Sequence, residues 1–106
     1  MDDTKIAIRL PERELAEWCR RWRVNELALF GSVLRPDFGP ESDVDVLIAF
    51  EADVRWSLLD HIQMEQELSA ILGRRVDLVS KRSIERSENW IRRRAILETA
   101  QVVYAA

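Results

Sequence analysis

A chain of 106 residues, 47% apolar and 33% charged, with four tryptophans and a net charge of −3, has material for one hydrophobic core, and a single domain spanning residues 1–106 is expected. The mixed charges and the tryptophans exclude a disordered acidic chain, and no apolar run approaches the roughly 18 residues of a membrane span. Met1-Asp2-Asp3-Thr4-Lys5 lacks the basic-then-apolar pattern of a secretory leader, and the lone Cys19 excludes an internal disulfide framework and cysteine-rich metal sites, so a cytoplasmic location with no membrane attachment is expected.

Residues 11–23 are predicted to be a helix. Pro11 suits its first turn, Glu12 and Glu14 complement the N-terminal dipole, and Leu15, Trp18, Cys19 and Trp22 recur at helical spacing as one buried stripe. Asn25-Glu26 lead into an apolar strand, Leu27-Ala28-Leu29-Phe30. Val33 to Ser42 holds two prolines and a glycine without periodicity and reads as a turn or helix stub followed by a loop. A second strand runs from about Asp43 to Phe50 and is expected to pair antiparallel to the first.

Ser57 to Leu72 is predicted to be a helix, with Ser57 as N-cap, Gly73 as its stop, and Leu58, Leu59, Ile62, Leu68, Ile71 and Leu72 as core candidates. Arg75 to Ser80 is a third strand with Val76 and Leu78 inward and Asp77 outward. After a turn at Ser83-Ile84-Glu85, a last helix is expected from about Ser87 to Tyr104. Its apolar residues, Ala95 to Ala105, would cover most of its circumference, so part of that face is expected to meet a partner protein or a second copy. The order of elements implies an α+β (α/β-like) fold, a small mixed sheet flanked by helices.

The chemistry concentrates in residues 31–45. Residues two apart on a strand point the same way, so Asp43 and Asp45 aim two carboxylates at one place. Close carboxylates repel unless a cation or shared proton relieves them, and hard oxygen ligands suit Mg²⁺ held jointly with substrate phosphates. Gly31 permits close approach or positive φ, and Ser32 offers an N–H and a hydroxyl to a phosphate. Arg35 is placed either to neutralise phosphate charge or to pair with Asp37 or Glu41 at the surface. Ser42 steadies the turn before Asp43. The bland alternatives are solvent-facing turn acids and an ordinary strand-ending turn.

His61, mid-helix with Glu65 one turn on, reads as a surface or interface histidine. Arg92-Arg93-Arg94 and Lys81-Arg82-Arg86 read as solvated faces or as contacts for RNA or an acidic partner. The pI near 5.2 argues against direct nucleic-acid binding.

Gly31-Ser32, Arg35, Ser42-Asp43-Val44-Asp45 and the following apolar run resemble the Gly-Ser…Ser-Asp-x-Asp signature of the DNA polymerase beta nucleotidyltransferase superfamily. The short length resembles its MNT (minimal nucleotidyltransferase) branch. Gly73 to Val79 is similar to the family's third carboxylate strand, with Asp77 as that carboxylate, and Ile91 to Tyr104 is similar to its C-terminal helix. Pro36 departs from the glycine common after the arginine, which removes an N–H from the phosphate loop.

The resemblance implies that Asp43 and Asp45 hold two Mg²⁺ ions, that Asp77 completes the metal site and helps deprotonate the attacking hydroxyl, and that Gly31, Ser32, Arg35 and Ser42 bind the nucleotide. It further implies AMP transfer from ATP to a tyrosine of a HEPN-domain ribonuclease toxin, with which the chain would form a hetero-oligomer as its antitoxin. The alternative it leaves is an antitoxin that neutralises the toxin by binding alone.

Overall fold

A computed structural model describes residues 10–35, 39 and 42–106. The elements are α1 (Glu12–Arg21), β1 (Val24–Phe30), a 3₁₀ turn (Gly31–Leu34), β2 (Val44–Phe50), α2 (Leu58–Leu72), β3 (Val76–Ser80), α3 (Lys81–Glu85), α4 (Trp90–Thr99) and β4 (Gln101–Ala105). The strands form one sheet in the order β3-β2-β1-β4. β1 is antiparallel to β2 and β4, and β2 is parallel to β3. The expected mixed sheet with flanking helices is therefore observed, and among the described residues no helix is long and apolar enough to cross a membrane.

Strand alternation divides the interior in two. Leu27 and Leu29 of β1, Val44, Val46 and Ile48 of β2, and Val76 and Leu78 of β3 point to one face, where Leu15, Trp18 and Cys19 of α1 and Met64 and Leu68 of α2 cover them. Ala28, Phe30 and Leu47 point to the other face, against Ile84 of α3 and Ile96 of α4. Cys19 is fully buried and its thiol is pushed up to about 12 by burial, so it is an inert core residue, as its helical position predicted.

The helix starts follow local chemistry. Ser57 and Asp60 form a reciprocal capping box on α2, and Gly73 ends it at φ +68°. Asn89 caps α4 by accepting the Arg92 N–H at 3.1 Å. α1 ends at Arg21, and Arg23, not a glycine, takes the left-handed conformation (φ +56°) that turns the chain into β1.

Three expectations are corrected. The last helix does not reach Tyr104: it stops at Thr99, and Gln101 to Ala105 form β4 along β1. Val102, Val103 and Tyr104 are β-formers, and pairing satisfies backbone groups of β1 that would otherwise lie open. The helix apolar on all sides thus does not exist, because Val103 and Tyr104 pack on the main core and Ala100 on the smaller cluster. Residues 83–85, expected as a turn, belong to the short helix α3, which Ser80 caps. Finally, Leu58, Leu59 and Ile62 are 76%, 76% and 42% exposed. Leu59 and Ile62 lie away from the Met64–Leu68 stripe, and Leu58 sits in the first turn of α2.

α2 does more than cover the sheet. Val76 and Leu78 turn their backbone groups away from β2, toward the outer edge of β3, and α2 meets them with side chains four residues apart. Ser69 Oγ accepts the Val76 N–H at 3.1 Å, Glu65 Oε2 accepts the Leu78 N–H at 2.9 Å, and His61 Nε2 donates to the Leu78 carbonyl at 3.0 Å. A helical stripe replaces the missing strand, and His61 is a structural donor rather than a free surface group. Glu65→Ala would leave the Leu78 N–H without its partner, so a loss of about 1–2 kcal/mol in urea unfolding is expected. Glu98→Ala, which breaks only an exposed pair with Arg94, should change stability by less than about 0.5 kcal/mol.

Candidate functional site

The site begins where β1 ends. Gly31 adopts φ +75°, and the 3₁₀ turn that follows carries Ser32 back over the start of β2. Val33 holds the turn down, being fully buried in the main core. The Ser32 hydroxyl donates to the Asp43 carbonyl at 3.3 Å, and the Ser32 N–H donates to the Asp45 carboxylate. A Cβ on Gly31 would overlap that same carboxylate, and the backbone conformation itself disfavours any side chain. Gly31 is thus required twice, for the turn and for the space.

The acids are placed by sheet register. Asp45 lies opposite Phe30 on β1 and beside Asp77 on β3. Val44, Val46, Val76 and Leu78 go to the α1/α2 core, so Asp45 and Asp77 share the other face of the sheet, toward α4, with Asp43 two residues before Asp45. Asp45 is half-buried, whereas Asp43 and Asp77 are exposed. Burial holds the Asp45 carboxyl above its ordinary value, the nearby charges of Asp77 and Asp43 push it further, and the Ser32 N–H and the positive charge of Arg92 partly offset this. Asp43 and Asp77 thus both stand near enough for their charges to act on Asp45, on an open acidic shelf. Among the described residues no three acidic, histidine or cysteine side chains close into a ready-made metal cage.

Two depressions flank the shelf. One, of about 370 Å³, is lined by Asp43 and Asp77 together with Glu65, Ser69 and Arg75. The other, of about 510 Å³, lies beside the turn and is lined by Gly31, Leu34 and Arg35 with Ala95 and Thr99 of α4 and Gln101 of β4. Arg35 is exposed at this rim. Its alternative partners Asp37 and Glu41, and Pro36, lie outside the described residues. Ser42 is engaged elsewhere: its hydroxyl accepts the Gly39 N–H at 3.1 Å, and Arg74 donates to the Gly39 carbonyl at 2.8 Å. Ser42 steadies the turn, as the sequence indicated.

The basic clusters separate on inspection. Lys81 pairs with Glu26 at 2.9 Å, Arg93 donates to the Ser87 carbonyl at 2.9 Å, and Arg94 pairs with Glu98 at 3.1 Å. Arg92 alone among Arg92–Arg94 bears on Asp45. Reading the three arginines as one patch missed this difference; the signal was Ile96, four residues on, which faces the sheet.

Gly31→Ala should displace Asp45 and cost about 1–2 kcal/mol from the left-handed backbone alone, read by thermal unfolding. Asp45 also predicts a pH dependence. The folded protein holds this proton more tightly than the unfolded chain, so stability falls as pH rises from the ordinary value of 3.8 through the raised folded value. In chelator, Asp45→Asn should therefore raise the melting temperature at neutral pH, with a gain that vanishes below the ordinary carboxylate range. An unchanged or lowered melting temperature at neutral pH would contradict the electrostatic account.

The sequence model of the nucleotidyltransferase domain matches residues 12–103. The chain is 39% identical over 85 residues to the protein adenylyltransferase MntA of Thermococcus cleftensis, covering 80% of this chain and 81% of that protein. Its structure is similar to that of a protein named provisionally as a minimal nucleotidyltransferase, with a TM-score of 0.63 and 31% identity over 88% of this chain and 87% of the other. In fold it also matches a chain of the complex between a tri-AMPylated HEPN toxin of Shewanella oneidensis and an MNT antitoxin (TM-score 0.60, 18% identity, 90% and 70% of the two chains). These matches cover most of the chain: it belongs to the nucleotidyltransferase domain family, in its minimal, MNT, branch.

Proposed function

We propose that this protein is the antitoxin of a toxin–antitoxin pair, and that it transfers AMP from ATP to a tyrosine hydroxyl of a HEPN ribonuclease toxin in a Mg²⁺-dependent reaction. The observation that carries the reading is the pairing of Asp45 and Asp77 on one sheet face beside the Gly31-Ser32 turn, with the charge of Asp43 also acting on Asp45. The adenylyltransferase activity named for the Thermococcus relative and the AMP-modified toxin of the Shewanella complex support the acceptor class.

The donor set fits Mg²⁺. All three ligands are hard carboxylate oxygens, their repulsion is only partly compensated, and Mg²⁺ ordinarily keeps water and substrate phosphates as ligands rather than filling a closed protein cage. Bound by Asp43, Asp45 and Asp77, it would polarise the α-phosphate and lower the pKa of the attacking hydroxyl.

The chain's own residues supply the rest. Gly31 leaves backbone space at the turn for phosphate oxygens, and Ser32 exchanges its contacts with Asp43 and Asp45 for contacts with them. The triphosphate lies on the side of Gly31 and Arg35, and the acceptor enters on the side of Asp77. The acceptor oxygen then forms a bond to the α-phosphorus as the bond to the bridging oxygen breaks. Pyrophosphate leaves, and the hydroxyl proton passes to Asp77 or to solvent. Exposed Leu58, Leu59 and Ile62 on α2, and Trp90 and Ile91 on α4, give a protein acceptor apolar surface to cover.

Neutralisation by binding alone loses a support on this fold, because the all-round apolar last helix is replaced by β4. One experiment separates the two readings. A HEPN ribonuclease encoded beside this protein, incubated with it, ATP and Mg²⁺, should gain mass in whole AMP units on a tyrosine. Asp45→Asn should slow the gain by at least about 100-fold while the two proteins still copurify. A stable complex with no mass gain from the unaltered protein would establish binding alone.

A further inference from the structure

We propose that Arg92 is a nucleotide-binding residue whose guanidinium, carried by α4 over the acidic shelf, holds the β- and γ-phosphates of the bound nucleotide. The proposal rests on the nucleotide reading of the site and adds to it a ligand from an element outside the Gly-Ser and Asp-x-Asp segments.

The placement follows from how α4 docks. Ile96 is 7% exposed and packs against Ala28, Phe30 and Leu47, on the sheet face that also bears Asp45 and Asp77. Arg92 is one turn before Ile96 on the same side of the helix. The Asn89 cap sets where the helix begins and therefore where Arg92 stands. Ala95 and Thr99, three and seven residues on, line the depression that contains Gly31 and Arg35. Arg92 therefore stands one turn N-terminal to the part of α4 that lines this depression, on the side of the helix that Ile96 turns to the sheet, and the small side chain of Ala95 leaves room between them. Arg93 and Arg94 turn to Ser87 and Glu98 instead.

Charge balance gives that cation its use. Three carboxylates and a triphosphate bring about seven negative charges, of which two divalent ions cancel about four. Arginine binds phosphate oxygens in a two-pronged, always-charged contact. With metal and triphosphate present, Arg92 takes up charge on the phosphates that become the leaving pyrophosphate.

The test is calorimetric binding of ATP and of AMP, each with Mg²⁺ and without acceptor, to the unaltered protein, Arg92→Ala, Arg92→Lys and Arg94→Ala. Arg92→Ala should weaken ATP by about 10-fold or more and AMP by less than about 2-fold. Arg92→Lys should recover part of the loss, and Arg94→Ala should match the unaltered protein. Equal losses for ATP and AMP, or no loss, would overturn the assignment. Should Arg92→Ala fail to fold, Arg92→Gln, which keeps the aliphatic stem, replaces it under the same criteria. If the unaltered protein binds neither nucleotide, the nucleotide reading itself fails and Arg92 falls with it, an outcome distinct from selective indifference to Arg92.

Discussion

The two-residue repeat of the β-strand is the constraint on which the rest of this molecule depends. On β2 and β3 it sends valine, isoleucine and leucine into the core under α1 and α2, and the same alternation forces Asp45 and Asp77 to the opposite face. Parallel pairing then sets these two side by side without any contact between them having to be favourable. Core packing supplies the force that holds the acids together against their repulsion. A register shift of one residue would bury the aspartates and expose the valines, so the placement of the acids is protected by the hydrophobic effect rather than by polar contacts of its own.

The β3-β2-β1 part of the sheet would leave two edges open, and the chain treats them differently. On β3 the α2 stripe of His61, Glu65 and Ser69 takes up the outward backbone groups. On the far side, β1 is covered by β4, reached through a helix that ends one residue earlier. Both devices serve the site. The first steadies the strand that carries Asp77. The second brings α4 across the acidic face, which closes one side of the depression beside Gly31.

Much of this was legible in the sequence, for physical reasons that can be named. The α2 boundaries were written in Ser57 and Gly73, the one a local capping contact and the other a conformation that few residues favour. Gly31, Asp43, Asp45 and Asp77 were legible because turn chemistry and strand period act over short range. The end of α1 was blurred because Arg23, not glycine, takes the left-handed position. β4 was hidden because helix and strand preferences of an apolar C-terminal run differ little, and the deciding term, the open edge of β1, lies more than 70 residues away in sequence. Leu58, Leu59 and Ile62 misled because hydrophobicity marks a residue for burial without saying what buries it.

The electrostatics of the shelf tie stability to chemistry. A half-buried aspartate with two acidic neighbours is a poor choice for a resting fold, and the Ser32 N–H and the Arg92 charge offset only part of that cost. On the proposed reading, those two groups are also among the ones a phosphate would engage. The contacts that hold Asp45 in the resting state are therefore the ones a nucleotide would draw away, and they can be released only if cations arrive with the nucleotide to replace them. Metal and nucleotide binding at such a site should be coupled: each removes the obstacle to the other, and neither the bare shelf nor the triphosphate alone provides the charge balance that the pair provides.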